Sequence, residues 1–269
     1  FSLFDASNEY SSEYLFDVEF ANNGTTTYGG QVGTIDGVQT PNNLYWSAVW
    51  STQEFYETYD PADLRRDNIA RFKYVYDDNQ NLVKEDLSSE PIYYAYKFRH
   101  ALTEEGRGPG WANWANPINF PIIRYADVLL MYAEACNELG DDATARKYLN
   151  EVRNRVNLED VKSSGNDLRK DIRLERRLEL AWEQNRLYDI RRWTDDNGKK
   201  VISNLLGTNG TFVKYNTDAA TRDLYEWENQ GEASNKGAGF DENRDMVFPI
   251  PLYEITMSNG SIVQNPGWN

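Results

Sequence analysis

Cysteine and histidine are almost absent from this chain of 269 residues, which has one cysteine, Cys136, and one histidine, His100. A single cysteine excludes an internal disulfide and any metal site built from several cysteines. One histidine cannot form a histidine-rich metal site. The sequence therefore predicts no transition-metal chemistry and neither a metal nor a cofactor.

Basic residues and long apolar runs are also scarce. The 28 Lys and Arg residues are outnumbered by 43 Asp and Glu residues, which leaves a formal net charge of −15 at pH 7. Nucleic-acid binding relies on Lys and Arg to neutralise phosphates, so this balance argues against it. It argues equally against docking on an anionic membrane surface. The longest apolar run, Val128–Ala133, is far shorter than the ~20 residues of a transmembrane helix.

Aromatic residues, in contrast, are abundant: the chain has 8 Trp, 18 Tyr and 11 Phe. Its mean hydropathy is −0.75. A polar, acidic, aromatic-rich chain is typical of a secreted or cell-surface protein that stacks rings on a ligand. Sugars are the natural candidate, because their C–H faces pack on aromatic rings.

Three aromatic residues of the first third are candidate ligand-stacking residues. Tyr28 lies in a loop too polar to be core, and Trp46 and Trp50 are four residues apart. Trp111 and Trp114 flank a loop ahead of the first long helix and are further candidates. The alternative for each ring is a place in the core, where most aromatic residues lie.

Apolar residues at spacings of three and four predict an antiparallel helix pair in the middle of the chain. The first helix covers 122–139, and its apolar stripe consists of Tyr125, Val128, Leu129, Tyr132, Ala133, Cys136 and Leu139. Gly140 is placed to end it, and Asp141 or Asp142 to begin the second helix, over 142–156. Because the connection is only two or three residues long, the helices must lie antiparallel, as in tetratricopeptide-like repeats.

Two further helices are predicted after this pair. The first covers 167–183 and ends at Asn185, which tolerates a left-handed backbone. A short helix over 186–193 follows.

Alternation of apolar and polar residues predicts a few short strands in the first third. One half-buried strand contains Phe16, Val18 and Phe20, and strands over 72–76 and 94–98 pair as a hairpin around the polar stretch 77–91.

The expected fold is therefore mainly α, with tetratricopeptide-like helix pairs, long loops and a few short strands. We expect a single domain over 1–269. Its parts are a loop- and strand-rich region at 1–120, a helical core at 121–194 and an extended, loop-rich C-terminal region at 195–269. Prolines favour the extended form of that last region.

Several stretches, in order along the chain, resemble the SusD/RagB family of nutrient-binding outer-membrane lipoproteins. They are Glu13–Phe20, Asp60–Asp67, Ile123–Ala135, Leu149–Arg155, Glu175–Ala181, Asp189–Trp193, Phe248–Pro251 and Gln264–Trp268. Two positions depart from the family pattern, which usually has Gly where Asn185 stands and an aromatic residue where Leu187 stands. Family members are also about twice as long, and Cys136 does not correspond to their lipidated cysteine.

The resemblance implies a function without catalysis. Such proteins capture oligosaccharides, or in some members peptides, at the cell surface and pass them to a SusC-like TonB-dependent outer-membrane transporter. The expected location is the outer membrane, with a lipid anchor that this chain does not contain. The alternatives are a helical-repeat scaffold that binds protein and a glycoside hydrolase.

The hydrolase alternative depends on Glu175, Glu179 and Glu183, which are spaced to share one helix face. Two carboxylates flanking a cleft could act on a glycosidic bond. The competing hypothesis is that they form ion pairs between packed helices. We expect at least two of Glu175, Arg176, Arg177 and Glu179 to pair with another segment, and Arg177→Ala to lower the melting temperature strongly.

Two acidic turns, 77–79 and 195–198, offer oxygen ligands for calcium. Neither fits the full calcium-binding loop with its closing Glu, and the alternative is a solvated turn.

Overall fold

The computed structural model describes residues 2–4, 10–20, 30, 32–41, 47–90, 92–98, 118–207, 210, 214–215, 225–226, 237 and 239–268. The fold is mainly helical, as predicted. It separates into two compact units, Phe1–Arg186 and Leu187–Asn269, and a single domain over 1–269 stays a prediction. None of the helices described is long and apolar enough to cross a membrane.

The first unit begins with short elements and ends with long helices. In chain order its elements are a 3-10 helix Ser2–Phe4, β1 Tyr14–Val18, α1 Val32–Ile35, α2 Gln53–Thr58, a 3-10 helix Leu64–Asn68, β2 Ile69–Ala70, β3 Phe72–Tyr76, β4 Leu82–Asp86, β5 Tyr94–Ala95, β6 Phe120–Arg124, α3 Tyr125–Glu138, α4 Asp142–Arg155 and α5 Gly165–Glu179. A further helix, α6 Arg186–Arg192, follows; the second unit contains α7 Val201–Leu205, β7 Lys214–Tyr215, β8 Tyr225–Glu226, α8 Glu242–Asp245 and α9 Leu252–Met257.

The main apolar core lies between α3, α4 and α5. Its buried residues are Ala126, Leu129, Leu130, Ala133, Cys136, Ala145, Leu149, Val152, Leu168 and Ile172. The predicted turn between α3 and α4 is confirmed, since Gly140 has φ +82° and the Asp141 carboxylate accepts a hydrogen bond from the Thr144 N–H at 3.1 Å. This turn makes α3 and α4 an antiparallel pair.

The predicted apolar stripe of the first helix is only partly buried. Leu129, Ala133 and Cys136 enter the core, whereas four other members are exposed, with Leu139 at 87 %. The exposed residues, which we call the outer face of α3, are Tyr125, Val128, Tyr132 and Leu139. The stripe is wider than the side of α3 that packs on α4 and α5, so part of it is left in solvent. The prediction also began this helix too early, because 122–124 belong to β6.

The third helix ends earlier than predicted, at Glu179 instead of residue 183. Trp182 and Gln184 have φ of 62° and 63°, so the left-handed residues precede Asn185. Glu183 therefore lies in a turn, where its N–H donates to the Leu180 carbonyl at 3.1 Å, and it does not extend the helical face of Glu175 and Glu179.

The predicted hairpin between 72–76 and 94–98 is wrong. β3 pairs antiparallel with β4, and β5 pairs with β2. Asp77 explains the difference, because its Oδ1 accepts hydrogen bonds from the Asn79 and Asn81 N–H groups at 2.9 and 2.8 Å. These bonds close a tight turn, so β3 meets the nearer segment at a smaller loop-closure cost.

The C-terminal region is less extended than predicted, because α7, α8 and α9 lie within it. Pro251 stands at the start of α9 with φ −53°. A proline at this point does not interrupt a helix, since its missing N–H would lack an intrahelical partner anyway.

The two N-terminal helix caps of α4 and α5 allow a matched test of stability. Asp141 caps α4 through its side chain, whereas Ser164, in the same position before α5, makes no side-chain cap bond. We expect Asp141→Ala to lower the free energy of unfolding by ~1 kcal/mol and Ser164→Ala to lower it clearly less. Urea denaturation measures both changes, and equal losses would contradict a capping role for Asp141.

Candidate functional site

The acidic residues of α5 form a buried ion-pair network with segments far away in the sequence. Arg65 Nη1 lies 2.5 Å from Glu175 Oε1 and 2.8 Å from Glu179 Oε2. Arg124 Nη1 lies 2.7 Å from Glu179 Oε1, and its Nε lies 2.7 Å from Glu183 Oε2. Arg65 thus connects the 3-10 helix Leu64–Asn68 to α5, and Arg124 connects the end of β6 to α5 and to the turn that follows it.

Further cations complete the network. Lys97 donates to the Glu179 carbonyl at 2.7 Å and pairs with Glu183. Arg153 Nη1 lies 3.1 Å from Glu175 Oε2, and Arg155 pairs with Glu179. Each carboxylate therefore contacts at least two basic side chains.

Burial and ion pairing push the pKa values of these groups in different directions. Burial alone would raise the pKa of Glu179, but the charges of Arg124, Arg155 and Arg65 outweigh it and hold that pKa well below its usual value. For Glu175 burial is stronger than its ion pairs, and its pKa is raised. Burial also lowers the pKa of Lys97 to about 8, although the charge of Glu183 opposes the shift.

Two neighbouring carboxylates with pKa values pushed apart are typical of an acid–base pair, but this pair has no room for a substrate. Glu175 is 0 % and Glu179 is 3 % exposed. A glycosidase holds the sugar between its two carboxylates, and here Arg65 occupies that place. The cavity beside them has a volume of about 140 Å³. Charged side chains border it together with Asn68 and four apolar side chains; the charged ones are Arg65, Lys97, Arg155 and Glu179. The arrangement therefore favours stabilisation over hydrolysis.

The prediction that the charged residues of this helix pair with other segments is confirmed. In addition to the carboxylates, Arg176 Nη1 lies 2.8 Å from Asp127 Oδ1, and Arg177 makes two bonds to Glu54 at 2.7 and 2.6 Å. The Arg177 pair is only half-buried. We therefore expect Arg177→Ala to lower the stability less than predicted, and a strong loss to follow from substitution of a fully buried arginine such as Arg124.

Of the predicted stacking residues, Trp50 lies in the described part of the chain. Its ring is 39 % exposed, and its indole N–H donates to the Ser47 carbonyl at 2.8 Å. The ring meets Tyr94 edge to face, with centroids 5.5 Å apart. Tyr28, Trp46, Trp111 and Trp114 lie outside the described residues. Trp50 is thus a half-exposed ring held in one orientation, as a ligand-stacking ring requires.

A second aromatic cluster includes Tyr56 of α2 and Tyr93, which directly precedes Tyr94. Two arginines belong to it that the sequence analysis did not identify. The Arg66 guanidinium lies 4.2 Å from the Tyr56 ring centroid, and that of Arg71 lies 4.0 Å from the Tyr93 centroid. The two tyrosine centroids are 5.3 Å apart. We call Tyr56, Arg66, Arg71 and Tyr93 the arginine–tyrosine stack. No spacing rule links these residues, because they come from three separate segments.

The first carboxylate of each acidic turn, Asp77 or Asp195, accepts hydrogen bonds from its own turn. Asp195 Oδ1 accepts hydrogen bonds from the Asn197 and Lys199 N–H groups at 2.9 and 3.0 Å, as Asp77 does in the other turn. Among the residues described, no group of three or more His, Cys, Asp or Glu side chains could hold a metal ion. The geometry favours ordinary turns at both places.

The family model for the SusD family matches residues 42–268, which is most of the chain. The chain belongs to the SusD family. SusD-like protein P2 of Formosa agariphila is 28 % identical over 99 % of this chain and 51 % of its own length. The chain thus spans about half the length of the curated relatives it matches.

Solved structures share the fold of this SusD-family chain. A laminarin-binding SusD-like protein is 25 % identical with a TM-score of 0.65, over 99 % of this chain and 52 % of that one. Surface glycan-binding protein A of Bacteroides thetaiotaomicron, in complex with laminarihexaose, is 21 % identical with a TM-score of 0.65, over 98 % of this chain and 54 % of that one. Both structures match nearly the whole of this chain.

Proposed function

We propose that this SusD-family chain binds an oligosaccharide at the cell surface and delivers it to a TonB-dependent outer-membrane transporter. The observation that carries the glycan part is Trp50, a ring fixed by Ser47 and Tyr94 and open to solvent. The laminarin-binding protein, 25 % identical to this chain, supports the same ligand class. Transporter delivery, the outer-membrane location and a lipid anchor on the full-length protein rest on the family resemblance.

The proposal includes no catalysis. Glu175 and Glu179, the neighbouring carboxylates whose pKa values are pushed apart, are both paired with Arg65. The ligand is therefore bound and passed on intact.

A helical-repeat scaffold that binds protein is the second candidate, and the outer face of α3 favours it. Tyr125, Val128, Tyr132 and Leu139 follow the three- and four-residue spacing with which one helix packs on another. All four are exposed. A pull-down of protein partners that Tyr132→Glu abolishes, without any glycan binding, would support this candidate over the first.

Trp50→Ala tests the glycan proposal by calorimetric titration with laminarihexaose. One stacked ring contributes about 1 kcal/mol beyond area burial, so we expect binding to weaken roughly fivefold. Tyr253→Ala, at an exposed ring of α9, is the control and should leave the affinity unchanged. The same titration tests Tyr28→Ala and Trp46→Ala.

The melting temperature decides how a loss of binding is interpreted. Trp50→Ala should melt close to the wild type, because the ring is partly in solvent. An unfolded variant would show that Trp50 is a core residue, and unchanged affinity would place the stacking site elsewhere.

A further inference from the structure

The two arginines of the arginine–tyrosine stack, Arg66 and Arg71, differ from the arginines of the ion-pair network in the groups that they contact. Arg65, Arg124, Arg176 and Arg177 each pair with a carboxylate. Arg66 donates no side-chain hydrogen bond to any acceptor among the described residues, and its Nε is buried without a partner. Its guanidinium lies over the face of the Tyr56 ring. A guanidinium carries five N–H donors, and apart from the buried Nε–H the donors of Arg66 are available for a ligand.

Arg71 adds a second positive charge at the same place. Its guanidinium lies 5.6 Å from the Tyr56 centroid, in addition to its contact with Tyr93. Its Nη2 donates to the carbonyls of Leu87, Ser88 and Glu90 at 3.0, 2.9 and 2.5 Å. These three hydrogen bonds fix the position of Arg71, and the carbonyls that accept them carry no formal charge. The nearest carboxylate effect is weak: the pKa of Asp86 is lowered mainly by its hydrogen bonds to Ser88, and the charge of Arg71 contributes less.

The framework around these two cations is held by hydrogen bonds and helix caps. Tyr93 is buried, and its carbonyl accepts a hydrogen bond from the Ser51 N–H at 2.7 Å. Tyr56 lies on α2, which Thr52 caps, and Arg66 lies on the 3-10 helix capped by Asp63. The stack thus holds its two guanidinium groups in place before any ligand arrives.

From these contacts we propose that the arginine–tyrosine stack binds an acidic group of a glycan, either the carboxylate of a uronic acid or a sulfate ester. This rests on the proposed function and narrows its ligand class. The guanidinium fork matches the paired oxygens of both groups, and a bond to a charged partner is stronger than one to a neutral hydroxyl. A chain with a net charge of −15 gains most from such a local cation pair, since repulsion from distant carboxylates is screened beyond about 8–10 Å in physiological salt.

The test compares three oligosaccharides by calorimetric titration: neutral laminarihexaose, trigalacturonic acid and a sulfated galacto-oligosaccharide. We expect at least one acidic ligand to bind, and Arg66→Gln to weaken that binding at least about tenfold. Arg66→Lys keeps the positive charge but loses the forked guanidinium, so its affinity for the acidic ligand should lie between those of the wild type and Arg66→Gln. Lys84→Gln is the control, since Lys84 is a cation of the neighbouring hairpin that lies 4.1 Å from the Phe72 centroid.

The two acidic ligands distinguish a carboxylate from a sulfate as the group that is recognised. Binding of an acidic ligand that Arg66→Gln leaves unchanged, in a variant that melts like the wild type, would overturn the inference. Binding of laminarihexaose alone would also overturn it while leaving the proposed function intact. If none of the three ligands binds, the proposed function fails as well.

Discussion

Arg124→Met is expected to lower the free energy of unfolding by ~3–5 kcal/mol. Arg124 is 1 % exposed and contacts three carboxylates, those of Glu13, Glu179 and Glu183. Methionine fills much of the same volume but leaves these carboxylates short of a cation, and an uncompensated buried charge is costly. In a protein of this size the melting temperature should fall by roughly 10 °C.

Arg177→Met is the matched control for this prediction. It removes the same group from the half-buried pair with Glu54, where solvent already screens the charges, and the loss should be ~1 kcal/mol or less. Combining Arg124→Met with Glu183→Gln should cost less than the sum of the single changes, because the second change removes a charge that the first left unpaired. Unchanged stability in Arg124→Met, with loss of glycan binding, would instead make Arg124 a ligand contact.

Helix positions in the core could be predicted from the sequence because they depend on local patterns. The spacing of apolar residues, together with Gly140 and Asp141, located α3 and α4 to within a few residues. The end of α5 could not be found in this way. It depends on Glu183 reaching Arg124 and Lys97, which are distant in sequence. Strand partners were missed for a related reason, since pairing depends on how the turn at Asp77 closes.

The candidate site shows the same limit. Trp50 could be proposed from its residue type and its four-residue spacing from Trp46. The arginine–tyrosine stack could not, because Tyr56, Arg66 and Tyr93 meet only after three segments have folded together. The sequence also does not show which arginines form ion pairs. Arg65 and Arg66 are neighbours, yet among the described residues only Arg65 of the two pairs with a carboxylate.

Glu179→Gln should cost ~3–5 kcal/mol of stability at neutral pH, and the cost should shrink in acid. The folded-state pKa of Glu179 lies well below the ordinary value of 4.5. Its ionised form therefore stabilises the fold fully above the unfolded-state pKa, and this contribution is lost as the pH falls through the folded-state pKa. Glutamine keeps the shape of the side chain but carries no charge at any pH.

Glu175→Gln should change the pH dependence of stability in the opposite direction, although Glu175 belongs to the same ion-pair network. The folded-state pKa of Glu175 is raised, so the folded protein binds more protons than the unfolded chain above pH 4.5, and this group's contribution falls as the pH rises. Urea denaturation between about pH 4 and pH 8 measures both variants against the wild type. The stability lost in Glu179→Gln should stay constant at higher pH and begin to shrink only as the pH falls below 4.5 towards pH 4. The stability of the wild type relative to Glu175→Gln should instead increase as the pH falls from about 8 to about 4. Parallel curves for the three proteins would show that folding changes the pKa of neither carboxylate, which would contradict the lowered pKa of Glu179 and the raised pKa of Glu175.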